Sequence, residues 1–206
     1  VPAERGKWMA ALVGVADLVK TLQQLPGVAV GTEGMTGLYV RGGGADENLY
    51  LLDGNPVYHV NHLLGFFSAF NPDAIKNTRF YKGSFPAEYG GRLSSVVDVR
   101  MNDGNRQEYH GNISVGLLSA RANLEGPIVK DRSSFNVSVR RTWLDLITGT
   151  ALAIVNKNSD TKESFGYHFF DINAKVNHSF SERSRAYLSF YMGQDAFRQG
   201  SKEKHE

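Results

Sequence analysis

The chain has 206 residues and a formal net charge of +2, from 23 Lys and Arg against 21 Asp and Glu, which is room for one or two compact domains. Its cations are interleaved with acids rather than gathered into runs or onto one face, so no nucleic-acid partner is indicated. Cysteine is absent, which excludes disulfides and thiolate metal sites, and 22 Gly against 6 Pro favour turns and strands over helices.

No stretch approaches the roughly 18 uninterrupted apolar residues of a membrane-spanning helix, and the segment from Val1 lacks the regions of a signal peptide. The chain is then either soluble or meets a membrane through strands, whose alternation is a weaker signal.

The first predicted element is a helix from about Trp8 to Leu25. Leu12, Val15, Leu18, Val19, Leu22 and Leu25 recur at helical spacing, and Pro26 and Gly27 stop it. From Val28 to Met101 short apolar runs follow, such as Leu38 to Val40, Leu49 to Leu52 and Arg79 to Tyr81, each bounded by Gly, Asp or Asn. A short helix is expected from Pro72 through Ile75, with Asn71 as its cap. Ser95 to Met101 alternates, with Val97, Val99 and Met101 on one side. The turn Asn102 to Asn105 marks the domain boundary.

Beyond it the alternation lengthens. Tyr109, Gly111, Ile113, Val115 and Leu117 share one face, and the pattern returns in Ala120 to Glu125, Phe135 to Arg140, Phe170 to Phe180 and Leu188 to Met192. Ile113, Val115, Val137, Val139, Ile172 and Val176 are expected to face lipid. Asn112, Ser138, Arg140, Asn173 and Lys175 are expected to face a lumen. Lys130 to Ser133 and Ser181 to Ser184 read as compact turns, and Asp145 to Gly166 as a long loop; no long helix is expected between residues 109 and 192. Short turns alternating with a longer loop are the asymmetry of a transmembrane barrel. Five strands cannot close one, so more strands must complete it.

Candidate sites are few. Arg41-Gly42-Gly43-Gly44 lacks the Gly-Lys-Ser/Thr end of a phosphate loop and leads into a strand, so a structural turn is expected rather than a nucleotide site. His59 and His62 lack a third ligand and are read as loop histidines facing solvent or lining a substrate path, not as a metal site. Leu63, Leu64, Phe66, Phe67 and Phe70 read as core. No nucleophile elbow or marked carboxylate pair occurs, so no catalytic residue, metal or cofactor is assigned.

Four pieces in order carry a resemblance: Leu25-Pro26-Gly27-Val28; Tyr39-Val40-Arg41-Gly42-Gly43; Tyr50-Leu51-Leu52-Asp53-Gly54-Asn55-Pro56-Val57-Tyr58; and Phe80 to Val99, containing Lys82-Gly83 and Tyr89-Gly90-Gly91-Arg92. Together they resemble the plug of TonB-dependent outer-membrane receptors, especially those of Bacteroidetes. Leu124 to Ile128 with Lys130-Asp131-Arg132 resembles the first periplasmic turn of the same barrels. The resemblance implies an α+β plug domain over residues 1–101. Residues 102–206 would be the first antiparallel strands of a transmembrane β-barrel of roughly 22 strands.

It further implies active import of a siderophore, peptide, glycan or other small ligand across the bacterial outer membrane, without catalysis. Its implied partners are TonB, through a segment expected upstream of Trp8, outer-membrane lipid, and optionally a surface lipoprotein. Arg41 and Lys82 fall where the family's plug cations pair with wall carboxylates; Lys82 replaces the usual Arg and offers a point charge instead of a planar fork. The Phe85-Pro86-Ala87-Glu88-Tyr89-Gly90-Gly91 run departs from the Tyr-Gly-Ser-Arg pattern of glycan importers, which disfavours a polysaccharide. The rival readings are a barrel component for assembly, adhesion or secretion, and a soluble nucleotide-binding α/β protein.

Overall fold

The computed structural model describes residues 11–12, 15–31, 36–158 and 161–203. Two short strands, β1 (Ala11–Leu12) and β2 (Val15–Ala16), form a hairpin ahead of helix α1 (Leu18–Gln23). The helix expected from Trp8 is therefore much shorter, and residues 1–10 lie outside the described residues. Asp17 is the reason. Its backbone is extended and its carboxylate accepts the Val19 and Lys20 amides, which caps the helix there. The apolar spacing upstream serves strands instead.

The N-terminal domain is built on a four-stranded sheet. Strand β5 (Asn48–Leu52) runs parallel to β10 (Ser95–Met101); β6 (Asn55–Pro56) and β9 (Ile75–Lys82) flank them antiparallel. Small pairs β3 (Val28–Ala29) with β4 (Tyr39–Val40), and β7 (Asn61–His62) with β8 (Phe67–Ser68), complete it. Val97, Val99 and Met101 of β10 meet Leu18, Val19 and Leu22 of α1, Leu38, Val40, Leu52 and Phe70 in one buried core. The expected helix after Asn71 is a single 3-10 turn, Pro72–Ala74, because β9 already begins at Ile75.

Strands β11 (His110–Val115), β12 (Ser119–Val129), β13 (Ser133–Thr142), β14 (Thr161–Ser179) and β15 (Arg185–Glu203) form a separate antiparallel meander. Its faces differ as the alternation requires. On one, Ile113, Val115, Val137, Val139, Val176, Leu188 and Phe190 are exposed. On the other, Ser138, Arg140, Asp171, Asn173, Lys175 and Asn177 are buried, because the N-terminal domain lies against them. Asn112 shares the polar face but stays exposed on the edge strand β11. The stretch expected as a loop from Asp145 contains helix α2 (Leu144–Val155), and β14 starts as early as Thr161. That helix corrects the expectation of none in this region: its Thr148 hydroxyl donates to the Phe165 carbonyl on β14, beyond the end of β13. Among the described residues no helix is long and apolar enough to cross a membrane.

Candidate functional site

The chemistry of this chain concentrates where the N-terminal domain meets the meander. Phe67 packs there against Tyr167 and Phe169, and among the described residues the ion pairs across the contact fall at three places.

Hairpin β7–β8 drives His62 into the first. Its Nε2 lies 2.8 Å from Asp171 Oδ1 on β14, and its Nδ1 lies 2.9 Å from Asp195 Oδ1 on β15. Arg140 on β13 donates from Nε to Asp171 Oδ2 at 2.8 Å, and from Nη2 to the same oxygen and to the Ser68 carbonyl. Phe169 supports both side chains: the His62 ring stacks on it at 4.2 Å, and the guanidinium sits 4.9 Å from its centroid. Tyr167 donates to Asp195 at 2.6 Å and accepts the Leu63 amide at 2.8 Å. Of the two placements expected, solvent-facing or lining a substrate path, the first does not hold for His62, which is buried, while His59 is exposed. The neighbours of His62, Leu63 and Leu64, hold positive φ angles of 49° and 54°, and Leu64 and Phe66 are exposed rather than core.

Asp53 makes the second. It sits at the C-terminal end of β5 with φ 50°, and its Oδ1 accepts the Met101 amide. Lys175 of β14 reaches 3.2 Å from Asp53 and 2.9 Å from Asp103, which Lys76 also contacts at 2.7 Å. Burial alone would raise the Asp103 carboxyl, but the hydrogen bonds and charges of Lys76 and Lys175 outweigh it and hold the group at about 2. At the third place Asn71 donates to Ser138 at 2.9 Å, and Arg121 of β12 lies 3.4 Å from Asp73.

The sequence-assigned residues divide between two ends of the four-stranded sheet. Asp53 and Gly54, whose φ is 88°, are at the end that meets the meander. Arg41, Gly42 and Gly43 are at the other. There Gly42 turns at φ 85°, and Ser94, whose hydroxyl donates to the Val40 carbonyl, packs so closely on Gly43 that a Cβ would not fit. Tyr89, Gly90, Gly91 and Arg92 occupy the loop before β10, with Tyr89 against Tyr81. Arg41 is exposed beside Gly83, and Lys82 donates to the Pro26 carbonyl at 2.6 Å. Among the described residues no carboxylate pairs with Arg41 or Lys82, and the contact with the five strands uses the opposite polarity at two of its three places: acids from the N-terminal domain, cations from the meander. Asp73, Asp103, Arg121, Asp171 and Asp195 were not singled out in the sequence. The available signal was the charge on the polar face of alternating strands, which marked Arg140 and Lys175 but not their partners. Among the described residues no cluster of three or more His, Asp or Glu side chains is arranged to hold a metal ion.

Residues 9–97 match the family model described as TonB-dependent Receptor Plug Domain. Residues 9–97 are a TonB-dependent receptor plug. Among solved structures it is similar to the siderophore receptor PirA from Acinetobacter baumannii (TM-score 0.65, 19% identity, 96% of this chain and 31% of that one). It is also similar to the siderophore receptor PirA from Pseudomonas aeruginosa (TM-score 0.58, 20% identity, 97% of this chain and 33% of that one). At these identities the likeness is one of fold, and the chain spans about a third of the length of those receptors. No curated protein matches the sequence. The plug followed by antiparallel strands is the fold of a TonB-dependent receptor, and it assigns the protein to the bacterial outer membrane.

Proposed function

We propose that this chain is the gate and the adjoining wall of an active importer, which takes up a siderophore, peptide, glycan or other small ligand under the pull of TonB. The plug would comprise residues 1–101 and the wall residues 102–206. Outer-membrane lipid and a surface lipoprotein would be its further partners. The observation that carries this reading is the ionic make-up of the plug and wall contact: His62, Asp53 and Asp73 against Asp171, Lys175 and Arg121. A dry ionic joint is firm, because separating one partner leaves a desolvated charge that costs about 3 to 5 kcal/mol. Once water enters, each group exchanges its partner for solvent at little net cost. Such a joint holds at rest and releases when pulled, as a gate must.

Among the described residues neither Arg41 nor Lys82 has a hydrogen bond or ion pair to the five strands. In this reading they anchor the plug to wall strands on its other side, with Gly42 and Gly43 allowing close backbone approach. The siderophore receptors of similar fold make a ferric siderophore the first ligand to try. No catalytic role is assigned to any residue.

The test is a tether. Asn71→Cys with Ser138→Cys in the full-length receptor would place a thiol pair where plug and wall already touch, in a segment that has no other cysteine. Oxidation should abolish energy-dependent uptake of a ferric siderophore, and reduction should restore it. Undiminished uptake by the oxidised receptor would overturn the reading.

A further inference from the structure

We infer that His62 is a proton-operated latch between plug and wall, held as an imidazolium between two wall carboxylates. The inference rests on the gating reading above and adds a control of the same contact by pH. Both ring nitrogens of His62 lie within hydrogen-bond distance of a carboxylate oxygen, at 2.8 Å from Asp171 and 2.9 Å from Asp195. A neutral imidazole has one N–H, so its second nitrogen would turn a lone pair on a carboxylate at that distance. The imidazolium donates to both.

The surrounding charges agree with that state. Facing His62 from β13 and β14 are Arg140, Asp171 and the hydroxyl of Tyr167; from β15 come Asp195 and the hydroxyl of Tyr191, 3.4 Å from Asp171. On the plug side, Asp17 accepts the Ser68 amide and Lys20 donates to the Phe66 carbonyl, so both are engaged with the hairpin backbone. With His62 charged, the inner set of His62, Arg140, Asp171 and Asp195 is neutral. With His62 neutral it carries one excess negative charge, and the side chains of His62, Arg140 and Asp171 are all nearly withdrawn from solvent. Arg140 is engaged by Asp171 and Ser68 and leaves Asp195 to His62 and Tyr167.

Loss of that one proton therefore removes a donor from the joint and sets one of the two carboxylates against an imidazole lone pair. Hairpin β7–β8 is the element it would free, since His62 is its only ionisable side chain. Acid closes the latch and base opens it. Arg140 cannot substitute, because it stays charged throughout.

The test uses the full-length receptor in lipid vesicles, with nitrogen-15 histidine for ring spectra and hydrogen exchange at Asn61 to Ser68, corrected for intrinsic base catalysis. Both His62 nitrogens should carry protons at neutral pH. Loss of one on raising the pH should coincide with hairpin exchange faster by on the order of tenfold, about 1.4 kcal/mol of opening free energy. His62→Gln should abolish the pH response while keeping the fold. Asp195→Asn, which leaves one carboxylate facing the ring, should let the proton go at lower pH than in the parent. A neutral His62 ring at neutral pH, or a hairpin response that persists in His62→Gln, would overturn the latch. Either result would leave the gating reading to the thiol tether, which does not involve His62.

Discussion

Lys175 of strand β14 stands 3.2 Å from Asp53 of the plug, and both side chains are almost wholly withdrawn from solvent. Asp53 is fixed from behind by the Met101 amide, and the Lys175 ammonium lies 4.7 Å from the centre of the Tyr187 ring. The two charges are held in place before they meet, so the pair loses little side-chain freedom in forming.

Asp53→Ala should loosen the plug by about 1.5 to 3 kcal/mol, since the Met101 amide would lose its acceptor and Lys175 would keep Asp103, a carbonyl and the Tyr187 ring as partners. Hydrogen exchange at the ends of β5 and β10 in the full-length receptor is the measurement. Lys175→Met with Asp53→Leu should cost less than Asp53→Ala alone, because no orphaned charge is left at the pair itself.

Acid should weaken the same corner through Asp103. Its carboxyl is held at about 2, below its ordinary value near 4. A carboxylate depressed on folding contributes stability that is fully present above about pH 4 and is lost as the pH falls towards 2. Because Asp103 is partly open to solvent, the effect is on the order of 1 kcal/mol after screening. Denaturant midpoints of the receptor should fall across that window, and Asp103→Asn should flatten the fall.

Gly104→Ala should disturb the link between plug and wall more than its exposure suggests. Gly104 has φ 82°, and a Cβ there would overlap the carbonyl of Phe135 on β13. The left-handed backbone alone costs about 1 to 2 kcal/mol for alanine, and the overlap with rigid backbone adds to it. A lowered melting temperature with unchanged barrel assembly is expected; an unchanged one would mean that the linker does not press on β13.

Arg41→Ala should raise leakage of small solutes and weaken energy-coupled uptake while leaving barrel assembly intact, if Arg41 anchors the plug to the remaining wall. Its effect on hydrogen exchange near β14 should be much smaller than that of Asp53→Ala, since Arg41 lies at the other end of the four-stranded sheet. Solute exclusion equal to that of the parent receptor would leave Arg41 as a plain surface cation.

Alternation alone revealed which way the strand side chains face, but not how far β14 and β15 extend. Val137 and Val139 against Ser138 and Arg140 follow from the two-residue period of a strand, which no tertiary contact can alter without turning every side chain over. The plug pieces were legible by their resemblance to a family, and the structure shows tight turns within them, with positive φ at Asp53-Gly54 and Arg41-Gly42. Local pattern misled where a single capping side chain decided the outcome, as Asp17 did by starting α1 at Leu18. Alternation turned Arg140 and Lys175 to the polar face, but the pairing within the ionic joint was beyond sequence reading. His62 and Asp171 are 109 residues apart, and Asp53 and Lys175 are 122 apart; nothing local distinguishes these side chains from solvated ones. Which charges become partners depends on which face of the plug the wall covers, and that was decided only when the two packed together.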